Sequence, residues 1–277
     1  MRIHSFSTGR VRVRPDQVHG RGGGVIRRLN VLRDTGWTPP LPIHAWAVEH
    51  PEGLIVVDTG EVHEASGARY YPAAHPYYRR SLRVDVHESD EIDRQLQRAG
   101  LSAEQVRWVV LTHLHTDHAG GLRHFRNAEI VLSADEWAAG RGLGGWARGY
   151  LPHLWPRWLT PRTIRFTGDP VGDFAAGHPL TEAGDVVLVP TPGHTHGHLS
   201  VIVRRDRQPD LLLAGDASYT QQLMLDGVVD GVSIDERAAH DTLLRLQRHT
   251  RSSPTVYLPA HDPDSARRFR RGQTVPS

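Results

Sequence analysis

The stretch that decides the fold is VRWVVLTHLHTDHAGG, residues 106–121. Its first six residues, Val106 to Leu111, form a β-rich apolar run, and the run leads directly into His113, His115, Asp117 and His118. A buried strand that ends in a loop is the simplest reading. In extended backbone, alternate side chains share a face, so His113 and His115 can converge on one ion. A turn after Thr116 then swings Asp117 and His118 towards a second ion. The glycines at 120 and 121 permit that bend.

The same design recurs downstream. Val186 to Val189 reads as a strand and is followed by Pro192-Gly193-His194. Leu211 to Ala214 is followed by Gly215-Asp216, and Val256 to Leu258 by Pro259-Ala260-His261. Each time, an apolar strand and a small residue precede a side chain that can ligate a metal. Four repeats of one arrangement predict two metal ions held by His113, His115, Asp117, His118, His194, Asp216 and His261. Imidazole and carboxylate suit Zn, Fe, Mn or Co, and the chain has no cysteine to supply a thiolate. Zn is the expected metal of the two divalent ions.

The remaining chain reads as alternating strands and helices. Leu54 to Val57 is a strand closed by Asp58-Thr59-Gly60. Glu88 to Ala99 is a helix that stops at Gly100, and Ile130 to Leu132 is a strand. Ser133 to Ala139 is a helix in which Ser133 caps the start and Glu136 stands at the capping-box position. Leu199 to Val203 is a further strand, with helices at Asp235 to Arg248 and Pro263 to Arg270. Arg267, Arg268, Arg270 and Arg271 of the last helix read as a solvated face. Two segments break the rhythm: 14–42, rich in Gly and Pro, and 140–180, which carries Trp146, Trp155 and Trp158. Both are expected to be irregular. The 277 residues are read as a single domain of α/β class.

These residues resemble the metallo-β-lactamase fold superfamily, through its HxHxDH motif and its later His, Asp and His, from Asp58 to His261. The resemblance implies an αβ/βα sandwich of two mixed β-sheets flanked by helices. It assigns His113, His115 and His194 to one ion, Asp117, His118 and His261 to the other, and Asp216 to a bridge between them. It also makes Asp58 a second-layer support and His198 a structural histidine, with His196 a bystander. A hydroxide shared by two ions is then the nucleophile.

Asp216-Ala217-Ser218-Tyr219-Thr220 is similar to the N-acyl-homoserine lactone lactonases, in which a tyrosine at this offset binds the substrate carbonyl. So are the interval from His194 to Asp216 and His44-Ala45-Trp46-Ala47 leading into Gly53 to Gly60. The resemblance implies hydrolysis of a lactone ring, with Tyr219 on the carbonyl and Asp117 as proton donor to the leaving alkoxide. The gap from His118 to His194 is longer than in those lactonases, the extra length falling in the Trp-rich segment. The acyl tail is expected against Val25, Ile26, Leu29, Trp146 or Trp155.

A glyoxalase II-like thioesterase shares all seven ligands and is the alternative, although little sequence follows His261 to build its basic C-terminal region. A class B β-lactamase with a cysteine ligand is excluded by composition. A non-catalytic metal-binding module is the remote reading. With 33 basic and 31 acidic residues, the charge gives no basic surface for nucleic acid. No run approaches a membrane span and no signal peptide is apparent, so a cytoplasmic protein is expected. The expected partner is a small-molecule lactone, with neither nucleic acid nor membrane, and a homodimer is left open. All basic residues are arginine, which reads as a compositional bias of the genome.

Overall fold

The computed structural model describes residues 1–276. Two mixed sheets face each other. The first runs β4 (Leu82–Asp85), β1 (Arg2–Val13), β2 (Leu41–His50), β3 (Gly53–Val57), β5 (Val106–Val110), β6 (Glu129–Ser133) and β7 (Arg162–Ile164). The second runs β12 (Thr255–Pro259), β11 (Asp210–Gly215), β10 (Leu199–Val203), β9 (Val186–Pro190) and β8 (His178–Pro179). Strands β3, β5, β6 and β7 pair in parallel, as do β11 and β12; the other pairs are antiparallel.

The strands read as continuous apolar runs because both of their faces are covered. Trp46, Val48, Ile55, Val57, Trp108 and Val110 point inward, against Leu188, Val201, Leu213 and Leu258 of the other sheet. Their neighbours Ala45, Ala47, Val56 and Val109 point outward, onto Ile92 and Leu96 of α4 (Ile92–Arg98) and onto Leu122 and Phe125. The outer face of the second sheet is covered by Leu243 and Leu246 of α9 (Glu236–Ser252) and by Met224 of α8 (Gln221–Leu225). Helix, sheet, sheet, helix is the expected αβ/βα sandwich. Among the described residues, no helix is long and apolar enough to cross a membrane.

Several local expectations are corrected. The segment 14–42 is not irregular throughout: it holds α1 (Pro15–His19), α2 (Gly24–Arg33) and the start of β2. Pro15 at the first position of α1 supplies a preset φ where no amide hydrogen is needed. The segment 140–180 carries α7 (Gly142–Ala147), β7 and β8. Helix α4 starts only at Ile92, after a 3₁₀ turn at Glu88–Asp90. Strand β1 was not anticipated, because its side chains alternate with exposed arginines and it bulges between Ser7 and Arg10.

In α6 (Ala134–Ala139), Ser133 does cap, accepting from the Asp135 amide at 3.2 Å, but Glu136 turns into the core and closes no capping box. On α10 (Ser265–Arg271), Arg268 is buried and paired with Asp262 at 2.6 Å, so that helix is not simply a solvated face.

Candidate metal centre

All seven predicted ligand residues meet at one end of the sandwich, on loops that leave β5, β9, β11 and β12. His113 Nε2 lies 3.0 Å from His115 Nδ1, which lies 3.2 Å from His194 Nε2. On the far side, His261 Nε2 is 3.3 Å from Asp117 Oδ2, and His118 belongs to the same group. Asp216 spans the two. Its Oδ1 is 3.3 Å from His118 Nε2 and 3.4 Å from His261 Nε2, and its Oδ2 is 3.5 Å from His194 Nε2.

The ring nitrogens facing the centre are largely bare, because each outer nitrogen is engaged elsewhere. His118 Nδ1 meets Asp58 Oδ2 at 2.8 Å, His194 Nδ1 meets Asp230 Oδ2 at 3.3 Å, and His261 Nδ1 donates to the Pro42 carbonyl at 2.8 Å. His113 Nδ1 is 3.1 Å from Thr112 Oγ1, whose own hydrogen goes to Asp58 at 2.9 Å. Lone pairs are thereby aimed at shared points. Buried His118 Nε2 and Asp216 Oδ1 have no hydrogen-bond partner among the described residues. Nitrogens and carboxylate oxygens crowded at 3.0–3.5 Å repel unless a cation, a proton or a metal ion, lies between them. The donor set therefore fits two divalent ions, one with three imidazoles and one with two imidazoles and Asp117, joined by Asp216.

The supports of this centre divide into those the sequence signalled and those it did not. Asp58 ends β3 with a left-handed φ of 57° and takes the Thr112 amide at 2.8 Å as well as the His118 ring. Asp is among the residues that tolerate that region. His198 is no ligand: its Nδ1 faces the Thr191 carbonyl at 3.1 Å, and its Nε2 accepts from the Asp216 amide at 3.0 Å. Burial pushes its pKa down to about 3, so it stays a neutral acceptor. His196 is exposed.

Asp230 escaped the sequence reading. It accepts from the amides of Val232 and Ser233 and from the Ser233 hydroxyl, and the same carboxylate orients His194. Such outer carboxylates fix the tautomer and ring angle of a ligating histidine. The only signal was an Asp-Gly pair in an apolar stretch. Glu136, also missed, joins two ligand loops. It accepts from the Leu114 amide at 3.0 Å and from the Gly197 amide at 3.2 Å. Gly197 admits this contact because a Cβ there would stand 2.1 Å from the Glu136 nitrogen.

Asp117 is the ligand-type carboxylate most open to solvent, 20% exposed at its side chain against 6% for Asp216. Burial opposes its charge, yet His118 and His261 hold its pKa down to about 2.

A cavity opens over the centre. His115, Asp117, His194, Asp216 and His261 form its floor, and Tyr219 and Tyr77 stand beside them. The Tyr219 ring stacks on His261 with centroids 5.5 Å apart. Apolar walls come from Val11, Val13, Val31, Leu32, Leu82 and Ile234. This corrects the expected tail wall. Val25 and Ile26 are 74% and 62% exposed, and α2 presents Val31 and Leu32 to the cavity instead. Trp155 stacks on Trp137 over the core, and Trp146 packs edge-on against His75. The Trp-rich segment lends the cavity only Ala147, Arg148 and Gly149.

Comparison with known proteins agrees with this geometry. The family model of the metallo-beta-lactamase superfamily matches residues 38–261. A Mycobacterium tuberculosis protein described as a probable metallo-hydrolase is 31% identical over 271 residues, covering 90% of this chain and 81% of that protein. The N-acyl homoserine lactonase AiiA of Bacillus thuringiensis subsp. kurstaki is 27% identical over 224 residues, covering 80% and 82%.

Among solved structures, an N-acyl homoserine lactone hydrolase with N-hexanoyl-L-homoserine at its catalytic metal centre superposes with a TM-score of 0.75. It is 22% identical and covers 96% of this chain and 94% of its own. The dizinc quorum-quenching lactonase AidC superposes with a TM-score of 0.65 at 16% identity, covering 94% and 87%. At such identities these two structures speak for the fold. The loops that gather the seven His and Asp side chains, the sandwich and the match over residues 38–261 together place this chain in the metallo-beta-lactamase superfamily, as a metal-dependent hydrolase.

Proposed function

We propose that this hydrolase opens the ring of N-acyl-homoserine lactones, using two divalent metal ions, zinc by expectation, held by His113, His115, Asp117, His118, His194, Asp216 and His261. The observation that carries the reading is the position of Tyr219. Its ring lies against His261, and it lines the apolar cavity whose floor is His115, Asp117, His194, Asp216 and His261. The 27% identity to lactonases supports the same substrate class.

When bound, the two ions supply an activated water and polarise the carbonyl that it attacks. The chain's own groups do the rest. The Tyr219 phenol donates to the ring carbonyl oxygen as charge builds there. Burial, and nearby Tyr77, Asp216 and Asp230, hold its hydroxyl well above the usual phenol range, which favours the protonated, donating form. The water adds to the ring carbon, and the C–O bond of the ring then breaks. The proton released by the water passes through the Asp117 carboxylate to the leaving alkoxide, which stays tethered in the product. The valine and leucine walls take the acyl tail, at about 0.8 kcal/mol per buried methylene.

The test is acid release, followed by pH-stat, from homoserine lactones of several chain lengths beside S-lactoylglutathione and nitrocefin. The expected result is turnover of the lactones with KM falling as the chain lengthens. Far faster turnover of the thioester or the β-lactam would overturn the substrate assignment while leaving the metal centre intact.

A further inference from the structure

Gln17, on α1, is buried at the edge of the cavity, and its side-chain nitrogen donates to two phenols at once. It lies 2.9 Å from the Tyr77 oxygen and 2.7 Å from the Tyr219 oxygen. An amide spreads its two hydrogens by about 120°, so the phenol oxygens stand roughly 5 Å apart. Each phenol, having accepted from Gln17, still carries its own hydrogen. Neither hydrogen finds an acceptor among the described residues. Turning the amide over would satisfy the phenols but strand two buried N–H groups, whereas the observed orientation leaves Gln17 Oε1 unpaired and both phenol hydrogens waiting for an acceptor, so it becomes the better arrangement once a ligand accepts from the two phenols. Both tyrosines line the cavity that contains Asp117 and Asp216.

We propose that Tyr77 is a second hydrogen-bond donor to the substrate, taking the amide carbonyl of an α-acylamino lactone while Tyr219 takes the ring carbonyl, and that Gln17 is the positioning residue that frees and aims both phenols. In such a molecule the two carbonyl oxygens are separated by five bonds and lie roughly 3–5 Å apart, which matches the phenol pair. A lactone without the amide offers only one of the two acceptors and leaves Tyr77 unmet, and a donor that the bound ligand shields from water without accepting from it lowers affinity. Burial raises the Tyr77 pKa, so its hydroxyl stays protonated. Tyr77 comes from α3 (Pro76–Arg80) and Gln17 from α1, two short helices outside the strand ends that carry the metal-ligand residues.

The inference rests on the lactonase reading, and the experiment separates the two. An N-acyl-homoserine lactone and a γ-alkyl lactone of matched length without the amide are assayed with the metal-loaded wild type and Tyr77→Phe. The expected result is a loss of about tenfold in kcat/KM on the acylamino lactone, seated in KM, with less than twofold change on the plain lactone. Equal losses on both, or none, would overturn the role of Tyr77. Turnover of neither lactone by wild type would instead defeat the lactonase reading.

Gln17→Leu should lower kcat on both lactones and erase the same preference, and adding Tyr77→Phe to it should erase no more. A further, additive loss of preference in the double variant would remove Gln17 from the proposal. If Tyr77→Phe does not fold, inhibition of wild type decides. The ring-opened N-acyl-homoserine should inhibit about tenfold more tightly than the matched 4-hydroxy acid without the amide, and equal inhibition would refute the amide contact.

Discussion

Glu136→Ala removes the carboxylate that ties the loop carrying His113 and His115 to the loop carrying His194. Glu136 is fully buried, and its two oxygens accept from the Leu114 and Gly197 amides at 3.0 and 3.2 Å. Each amide left without an acceptor in the interior costs about 1–3 kcal/mol, which puts the gross loss at about 2–6 kcal/mol. Burial also raises the Glu136 pKa, so part of that gain is already spent on keeping a charge out of water. The expected net loss is about 3 kcal/mol, a large share of the 5–15 kcal/mol by which a domain is usually stable.

The same change frees two ligand loops from a common anchor, so metal affinity should fall about tenfold or more, as for other outer supports of a metal site. Guanidinium unfolding of the chelator-treated protein reads the first quantity, and competition with a chromophoric chelator reads the second. Glu136→Gln keeps one good acceptor and should fall between the two. A Glu136→Ala variant within 0.5 kcal/mol of wild type and unchanged in metal affinity would refute the claim that this carboxylate joins the loops.

Asp230→Ala should weaken metal binding by about 10- to 100-fold, because His194 loses the carboxylate that sets its ring; the same chelator competition checks it. Tyr219→Phe should cost roughly tenfold in kcat/KM on the best lactone, near 1.4 kcal/mol, since the metals share the stabilisation of the oxyanion. Unchanged efficiency would make it a packing residue. Glu61 sets a pH dependence: burial raises its pKa from the usual 4.5 to about 7. A carboxyl whose folded pKa is raised contributes its stability below the unfolded value and loses it as pH rises through the folded one. In chelator-treated protein, stability should therefore decline between about pH 4.5 and 7 by about 3 kcal/mol more for wild type than for Glu61→Gln. Parallel pH profiles in urea unfolding would contradict this.

The seven side chains gathered at one end of the sandwich were legible because the polypeptide itself spaces them: strand periodicity, a small residue and a polar side chain at each strand end are local properties of the chain. The two mixed sheets followed from the same runs and from the family resemblance. What sequence could not assign were groups whose partners lie far along the chain. Gln17 meets Tyr219 across 202 positions, Asp230 meets His194 across 36, and Glu136, which looked like a local cap, meets Gly197 across 61. The cavity wall belongs with them. Leu32 and Leu29 are equally apolar on paper, and only the docking of α2 turned the first inward and left the second facing water. A residue's type and spacing determine what chemistry it can offer, whereas its neighbour across the fold, and hence which nitrogen or oxygen is left free for a metal or a substrate, is settled only when the two sheets and their covering helices close on one another.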